Sequence, residues 1–174
     1  MGTNPAHQRA AHATGQAIAD AGWRLVYGAG DVGLMGEVAR AAKAAGAATF
    51  GVIPEHLLAK EVAKRDLTTF IVTETMHERK KVMFMNADAI ALLPGGAGSL
   101  DEIFEVITWA QIGLHRKPIW VMDVDGYWQP LLALMDHVIR EGFADASLRD
   151  LFTVLDGVDA LQAAMAAQDA LGAP

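Results

Sequence analysis

Short apolar or β-branched runs alternate along the chain with longer stretches whose apolar positions recur at helical spacing. Residues 5–21 predict a first helix, with Pro5 suited to its opening turn. "WRLVYG" (23–28) reads as a strand that runs into the glycine-rich turn "GAGDVGLMG", and residues 33–45 form a helix ended by Gly46. "ATFGVIP" (48–54) is a second strand, 55–65 a short helix or irregular cover, and "LTTFIVT" (67–73) a third strand. A helix over 74–87 is followed by the buried strand "DAIALLP" (88–94), a helix over 99–113 and the strand "PIWVMDV" (118–124). A helix over 127–141, a strand near 151–155 and a closing helix from about 158 complete the pattern.

Near-continuous apolar strands separated by helices require a parallel sheet buried on both faces. The expectation is an α/β fold, a Rossmann-like doubly wound parallel sheet in a single domain spanning 1–174. In such sheets ligands gather beyond the carboxyl ends of the strands. Both glycine-rich turns, 28–36 and 95–98, follow strands there and are candidates for one shared site.

Composition narrows the function classes. The formal net charge is −7, with 21 acids against 14 bases. That balance disfavours nucleic acid, whose non-specific binding depends on clustered Lys and Arg. There is no cysteine, which removes disulfides and thiolate metal sites. No apolar run approaches the roughly 18–20 residues of a membrane span, and the first residues lack a signal-peptide core. A cytoplasmic protein that binds neither membrane nor nucleic acid is expected.

The stretch "LPGGAGSLDE" (93–102) admits two readings. Ser99 and Glu102 fit an S-x-x-E capping box, which would simply start a helix. Equally, Gly95, Gly96 and Gly98 before a helix N-terminus would let a phosphate approach the backbone amides. Gly28, Gly30 and Gly33 match G-x-G-x-x-G, but no acid follows at the right strand end to hold a ribose, so nicotinamide binding is not expected. In "TMHERKK", Thr75 and Glu78 form another capping-box pattern. Arg79, Lys80 and Lys81 are either a solvated face or cations turned toward an anionic substrate. The six histidines show no metal-ligand spacing, and "DVDG" (123–126) lacks the continuation of a calcium loop.

The order of these segments is more specific than any one of them. "LVYGAGDVGLMGEVARAA", "GVIPEHLLAKE", "TMHERKKVM", "ADAIALLPGGAGSLDEIFEVITWAQIGLHRKPI" and "DGYWQPLLALMDHVIREGF" closely resemble the LONELY GUY (LOG) family across nearly the whole chain. The family signature P-G-G-x-G-T-x-x-E stands at Pro94 to Glu102, with Ser99 in place of threonine. The resemblance implies hydrolysis of the N-glycosidic bond of cytokinin riboside 5′-monophosphates, and of AMP in some members, without a cofactor. It implies that Gly95, Gly96, Ala97, Gly98 and Ser99 hold the 5′-phosphate and that Arg79 and Glu102 are the catalytic pair. Glu61, Met76, Lys80 and Thr108 would line the nucleotide site, with Gly28 and Gly30 passing close by. It also implies a homodimer paired through the helices at 74–87 and 99–113. Family members begin with a further strand and a "GSS"-like turn, so an additional central strand is expected upstream of Met1. The competing reading is a non-catalytic carrier of a phosphate-bearing ligand, such as a molybdenum-cofactor carrier.

Overall fold

The structure is a computed structural model that describes residues 2–58 and 66–172. Its elements, in order, are α1 (Pro5–Asp20), β1 (Leu25–Tyr27), α2 (Gly33–Ala44), β2 (Thr49–Pro54), β3 (Thr69–Thr73) and α3 (Met76–Met85). They continue with β4 (Ile90–Leu92), α4 (Ala97–Gln111), β5 (Ile119–Met122), α5 (Gln129–Arg140), β6 (Thr153–Leu155) and α6 (Val158–Ala170). The chain forms two compact units, one running to Ala87 and rejoined from Gln162 onward, the other from Asp88 to Leu161.

In the first unit, Asn4 caps α1 by accepting the Ala6 amide at 2.9 Å, with Pro5 in the first turn. The buried stripe of α1 includes His7, Ala11, Thr14 and Gly15, and that of α2 includes Val38, Ala39, Ala41 and Ala42. These small residues bring the two backbones together. A Cβ on Gly15 would stand 2.5 Å from the Val38 carbonyl oxygen and 2.7 Å from Ala41 Cβ. The sheet order is β1-β2-β3, all parallel, with Tyr27 opposite Gly51 and Val52 opposite Ile71. All six residues of the central strand β2 are buried, as its unbroken apolar run requires.

The second unit repeats the arrangement with parallel order β4-β5-β6. Its central strand β5 is wholly buried, and the core gathers Leu92, Ile103, Ile107, Val121, Trp128, Leu132 and Phe152. The α/β class, parallel pairing and strand–helix alternation agree with the sequence pattern. Among the described residues the strands form two three-stranded sheets rather than one, with β1 bonded to β2 and β4 bonded to β5.

Three local differences from the sequence pattern have physical causes or limits. Residues 55–57 form a single 3₁₀ turn, and most of the expected cover at 55–65 lies outside the described residues. Residues 146–151 are 3₁₀, begun by Asp145, whose carboxylate accepts the Ser147 amide at 2.9 Å and thereby shortens the last strand. α4 begins at Ala97, because extended Gly96 already presents its carbonyl to the Leu100 amide at 3.1 Å.

Candidate active site

In the first unit the turn after β1 and the helix after β3 meet at the carboxyl end of the sheet. Arg79, on the first turns of α3, is 7% exposed, unusual for a guanidinium, and its Nε donates to the Val52 carbonyl at 3.2 Å. Its Nη1 lies 4.0 Å from Met76 Sδ, one turn earlier on the same helix. The guanidinium presses against Gly28: a Cβ there would overlap Nη2 and stand 2.8 Å from Cζ. Gly28 therefore lacks a side chain because Arg79 occupies the space. Beyond it, buried Ala29 adopts φ 57° and Gly33 φ 66°, so the chain turns sharply before entering α2. Lys80 is half-buried beside Arg79 on α3.

The end of α3 that carries Arg79 is locally satisfied. Thr75 Oγ1 accepts the Glu78 amide at 3.2 Å, and Glu78 Oε2 accepts the amides of Thr75 at 3.2 Å and Glu74 at 2.9 Å. The expected capping box is thus present and consumes amides that an anion could otherwise use.

The glycine-rich stretch at 93–102 behaves differently. Its expected capping box is absent: Gly96 is the N-cap and makes no side-chain capping bond, so Ser99 falls at the third helical position and Glu102 a turn further on. A helix that starts early leaves Ser99 inside it, where its hydroxyl no longer serves as the cap. The two helices that follow the glycine turns, α2 and α4, both lack a side-chain cap, whereas α1 and α3 have one. The glycines of this loop have distinct duties. A Cβ on Gly95 would overlap Ser99 Oγ and stand 2.8 Å from Ser99 Cβ, whereas one on Gly96 or Gly98 would meet nothing within 4 Å. Gly96 has φ −102°, and Gly98 lies within α4, so neither is glycine for backbone reasons. Their missing side chains keep the first amides of α4 open to approach from solvent.

Glu102 is half-buried on α4. Thr108 sits on the exposed face of the same helix, and its hydroxyl donates to the Phe104 carbonyl at 2.7 Å. Nine residues past Ser99, Thr108 lies about 13 Å further along the helix and on the opposite side from it. Within one chain the helix does not bring Thr108 to the glycine loop. Glu61 lies outside the described residues.

Several residues near these turns carried no local sequence signal. Tyr127, just after β5, donates its phenolic hydrogen to the Gly95 carbonyl at 2.6 Å. Arg40 on α2 reaches back to the first glycine turn, bonding the Asp31 carboxylate at 2.7 Å and carbonyl at 3.2 Å. Glu37 joins Arg40 at 3.1 Å and His12 at 2.9 Å, and the His12 and Arg40 bonds hold its carboxyl below the usual range. Burial, and secondarily the charges of Asp31 and Asp66, push the Tyr27 phenol up to about 12. Among the described residues no group of three His, Cys, Asp or Glu side chains is placed to hold a metal ion. No helix among them is long and apolar enough to cross a membrane.

Comparison with known proteins places this arrangement. Residues 35–165, spanning parts of both units, match the family described as "possible lysine decarboxylase". Cytokinin riboside 5′-monophosphate phosphoribohydrolase LOG7 of Arabidopsis thaliana is 43% identical over 148 residues, 85% of this chain and 68% of the relative. The cytokinin riboside 5′-monophosphate phosphoribohydrolase of Mycobacterium tuberculosis is 44% identical over 150 residues, 86% of this chain and 80% of the relative. The molybdenum cofactor carrier protein of Chlamydomonas reinhardtii has a similar structure, with TM-score 0.71 over 97% of this chain and 91% of that one. At 23% identity that likeness concerns the fold alone. The identities to the phosphoribohydrolases and the length of the family match show that the chain belongs to the LOG family, the group that the description "possible lysine decarboxylase" covers.

Proposed function

We propose that this chain hydrolyses the N-glycosidic bond of cytokinin riboside 5′-monophosphates, with AMP as a second substrate, releasing the free base and ribose 5-phosphate. The observation that carries the reading is the start of α4: an uncapped helix end at which Gly96, the N-cap, and Gly98, in the first turn, lack side chains that neither packing nor backbone strain would exclude. Such an end attracts an anion through its unpaired amides and the helix dipole. The 5′-phosphate sits there, on the amides of Gly95 to Ser99 with the Ser99 hydroxyl added. The family resemblance assigns Gly28, Gly30, Met76, Lys80 and Glu61 to the remainder of the nucleotide.

In this reaction the bond from the anomeric carbon to the base nitrogen breaks, its electron pair leaves with the base, and positive charge develops on the sugar. Glu102 stabilises that charge or takes a proton from the attacking water, whose oxygen becomes the new anomeric hydroxyl. Arg79 orients the substrate and balances charge. Its basicity makes it a poor proton donor, so it is not the acid that protonates the base; the proton that the base gains is balanced by the one that the attacking water gives up. A carrier would need the phosphate cradle but no carboxylate at Glu102 and no guanidinium held as Arg79 is. Incubation with AMP and with isopentenyladenosine 5′-monophosphate, followed by chromatography, tests the reading: free base should accumulate, and recovery of intact nucleotide with binding alone would favour the carrier.

The enzyme acts as a cytoplasmic homodimer. Phe104 and Ile112 stand 41% and 65% exposed on the face of α4 that carries Thr108, an apolar surface suited to a partner. On that face Thr108 would meet a nucleotide held by the second copy of the chain. Light scattering at micromolar concentration should give twice the 18.5 kDa chain mass; a monomer would remove both the dimer and Thr108 from the site.

A further inference from the structure

We infer that Tyr127 is a positioning residue that sets the phosphate loop, an inference that rests on the phosphoribohydrolase reading for its consequence but not for its geometry. The phenolic oxygen of Tyr127 lies 2.6 Å from the Gly95 carbonyl, across 32 residues of sequence. The peptide joining Gly95 to Gly96 is planar and trans, so its carbonyl and amide point in opposite directions. Holding the Gly95 carbonyl toward Tyr127 therefore turns the Gly96 amide away from it. Gly95 is also backed against Ser99, with no room for even a Cβ. The loop is thus gripped at two points on the residue before the uncapped helix end.

Tyr127 is itself rigidly placed. The turn before it contains Asp125 at φ 53° and Gly126 at φ 71°, and the Tyr127 amide donates to the Val124 carbonyl at 3.2 Å. Asp123 follows β5 directly and braces the next residues, accepting the Trp128 amide at 2.7 Å and the Gln129 side-chain amide. Trp128 is 4% exposed in the core of the unit, and its ring meets that of Tyr127 edge-to-face at 4.8 Å. The tyrosine ring stands on a buried tryptophan, and only its hydroxyl is needed to reach the loop. An oriented amide array costs no reorganisation when the anion arrives, which is how a distant hydroxyl strengthens phosphate binding.

The test is Tyr127→Phe, which keeps the ring contact with Trp128 and removes one hydrogen bond. In the free protein, hydrogen–deuterium exchange over residues 93–100 should quicken while exchange over α5 stays unchanged, the latter reporting an intact fold. With AMP, KM should rise about 2–12-fold, the effect of losing one net hydrogen bond, while kcat stays within about twofold. Preference for AMP over adenosine should fall with it. Unchanged exchange over 93–100 overturns the inference whatever the kinetics, and a fall in kcat at constant KM overturns it in favour of a role in the chemistry. If the wild-type protein releases no base, the functional reading fails separately, and the exchange measurement alone then upholds or overturns the grip on the loop.

Discussion

Gly28 and Arg79 share one space: a Cβ at residue 28 would overlap the Arg79 guanidinium, with Cζ 2.8 Å away. The obstacle is the far end of a flexible side chain, so Gly28→Ala is relieved by displacing the guanidinium rather than the backbone. The fold should survive at a cost of at most about 1–3 kcal/mol, the usual range for overpacking. Turnover should drop by about 100-fold, the loss expected when one preorganised charge is moved. Adding Gly28→Ala to Arg79→Ala should then cost little further activity, because both substitutions remove the same interaction. Full activity in the single variant would detach Arg79 from the reaction.

Glu102 offers a clean separation of structure from chemistry, since it does not cap α4. Glu102→Gln should leave the melting temperature nearly unchanged and lower kcat by about 100-fold or more. Nucleotide binding should persist, because the phosphate cradle is backbone and Ser99. Steady-state kinetics with a parallel binding measurement decide it, and near-wild-type kcat would sink the catalytic assignment.

Thr75 is predicted to matter to stability through the helix that carries Arg79. Thr75→Ala removes the bond from its hydroxyl to the Glu78 amide and should cost about 0.5–2 kcal/mol. For a chain of this size each kcal/mol lowers the melting temperature by about 2–4 °C. Glu78→Gln should be far milder, because glutamine also completes a capping box. Thermal unfolding followed by circular dichroism distinguishes the two, and equal effects would deny the box its role.

Tyr27 makes the fold sensitive to alkali. Its phenol is raised from the ordinary 10.0 to about 12 in the folded chain. Below about pH 10 both states hold the proton, so the shift contributes no pH dependence there. Between about pH 10 and 12 the unfolded chain ionises first, the folded chain binds more protons, and stability falls as pH rises. Urea unfolding across that window should show this fall in the wild type and a flatter dependence in Tyr27→Phe. At neutral pH the phenylalanine variant should be at least as stable, because the buried Tyr27 hydroxyl has no hydrogen-bond partner among the described residues.

Features that depend on neighbours a few residues apart were legible in the amino-acid order alone. The β-branched runs became parallel strands, the glycine turns followed β1 and β4, and the Thr75–Glu78 box formed as its spacing requires. A capping box closes within one helical turn, so its pattern is visible locally. Tertiary structure decided between the two adequate starts of α4, because the Gly96 carbonyl and the Ser99 hydroxyl could each open a helix. In the folded chain Ser99 packs against Gly95, whose carbonyl is held by Tyr127, and the helix begins at Ala97. The same limit hid Tyr127 and the reason for Gly28. A glycine spared for a distant guanidinium looks in sequence like a glycine spared for a turn, and the contact exists only once strand register brings α3 against the turn after β1.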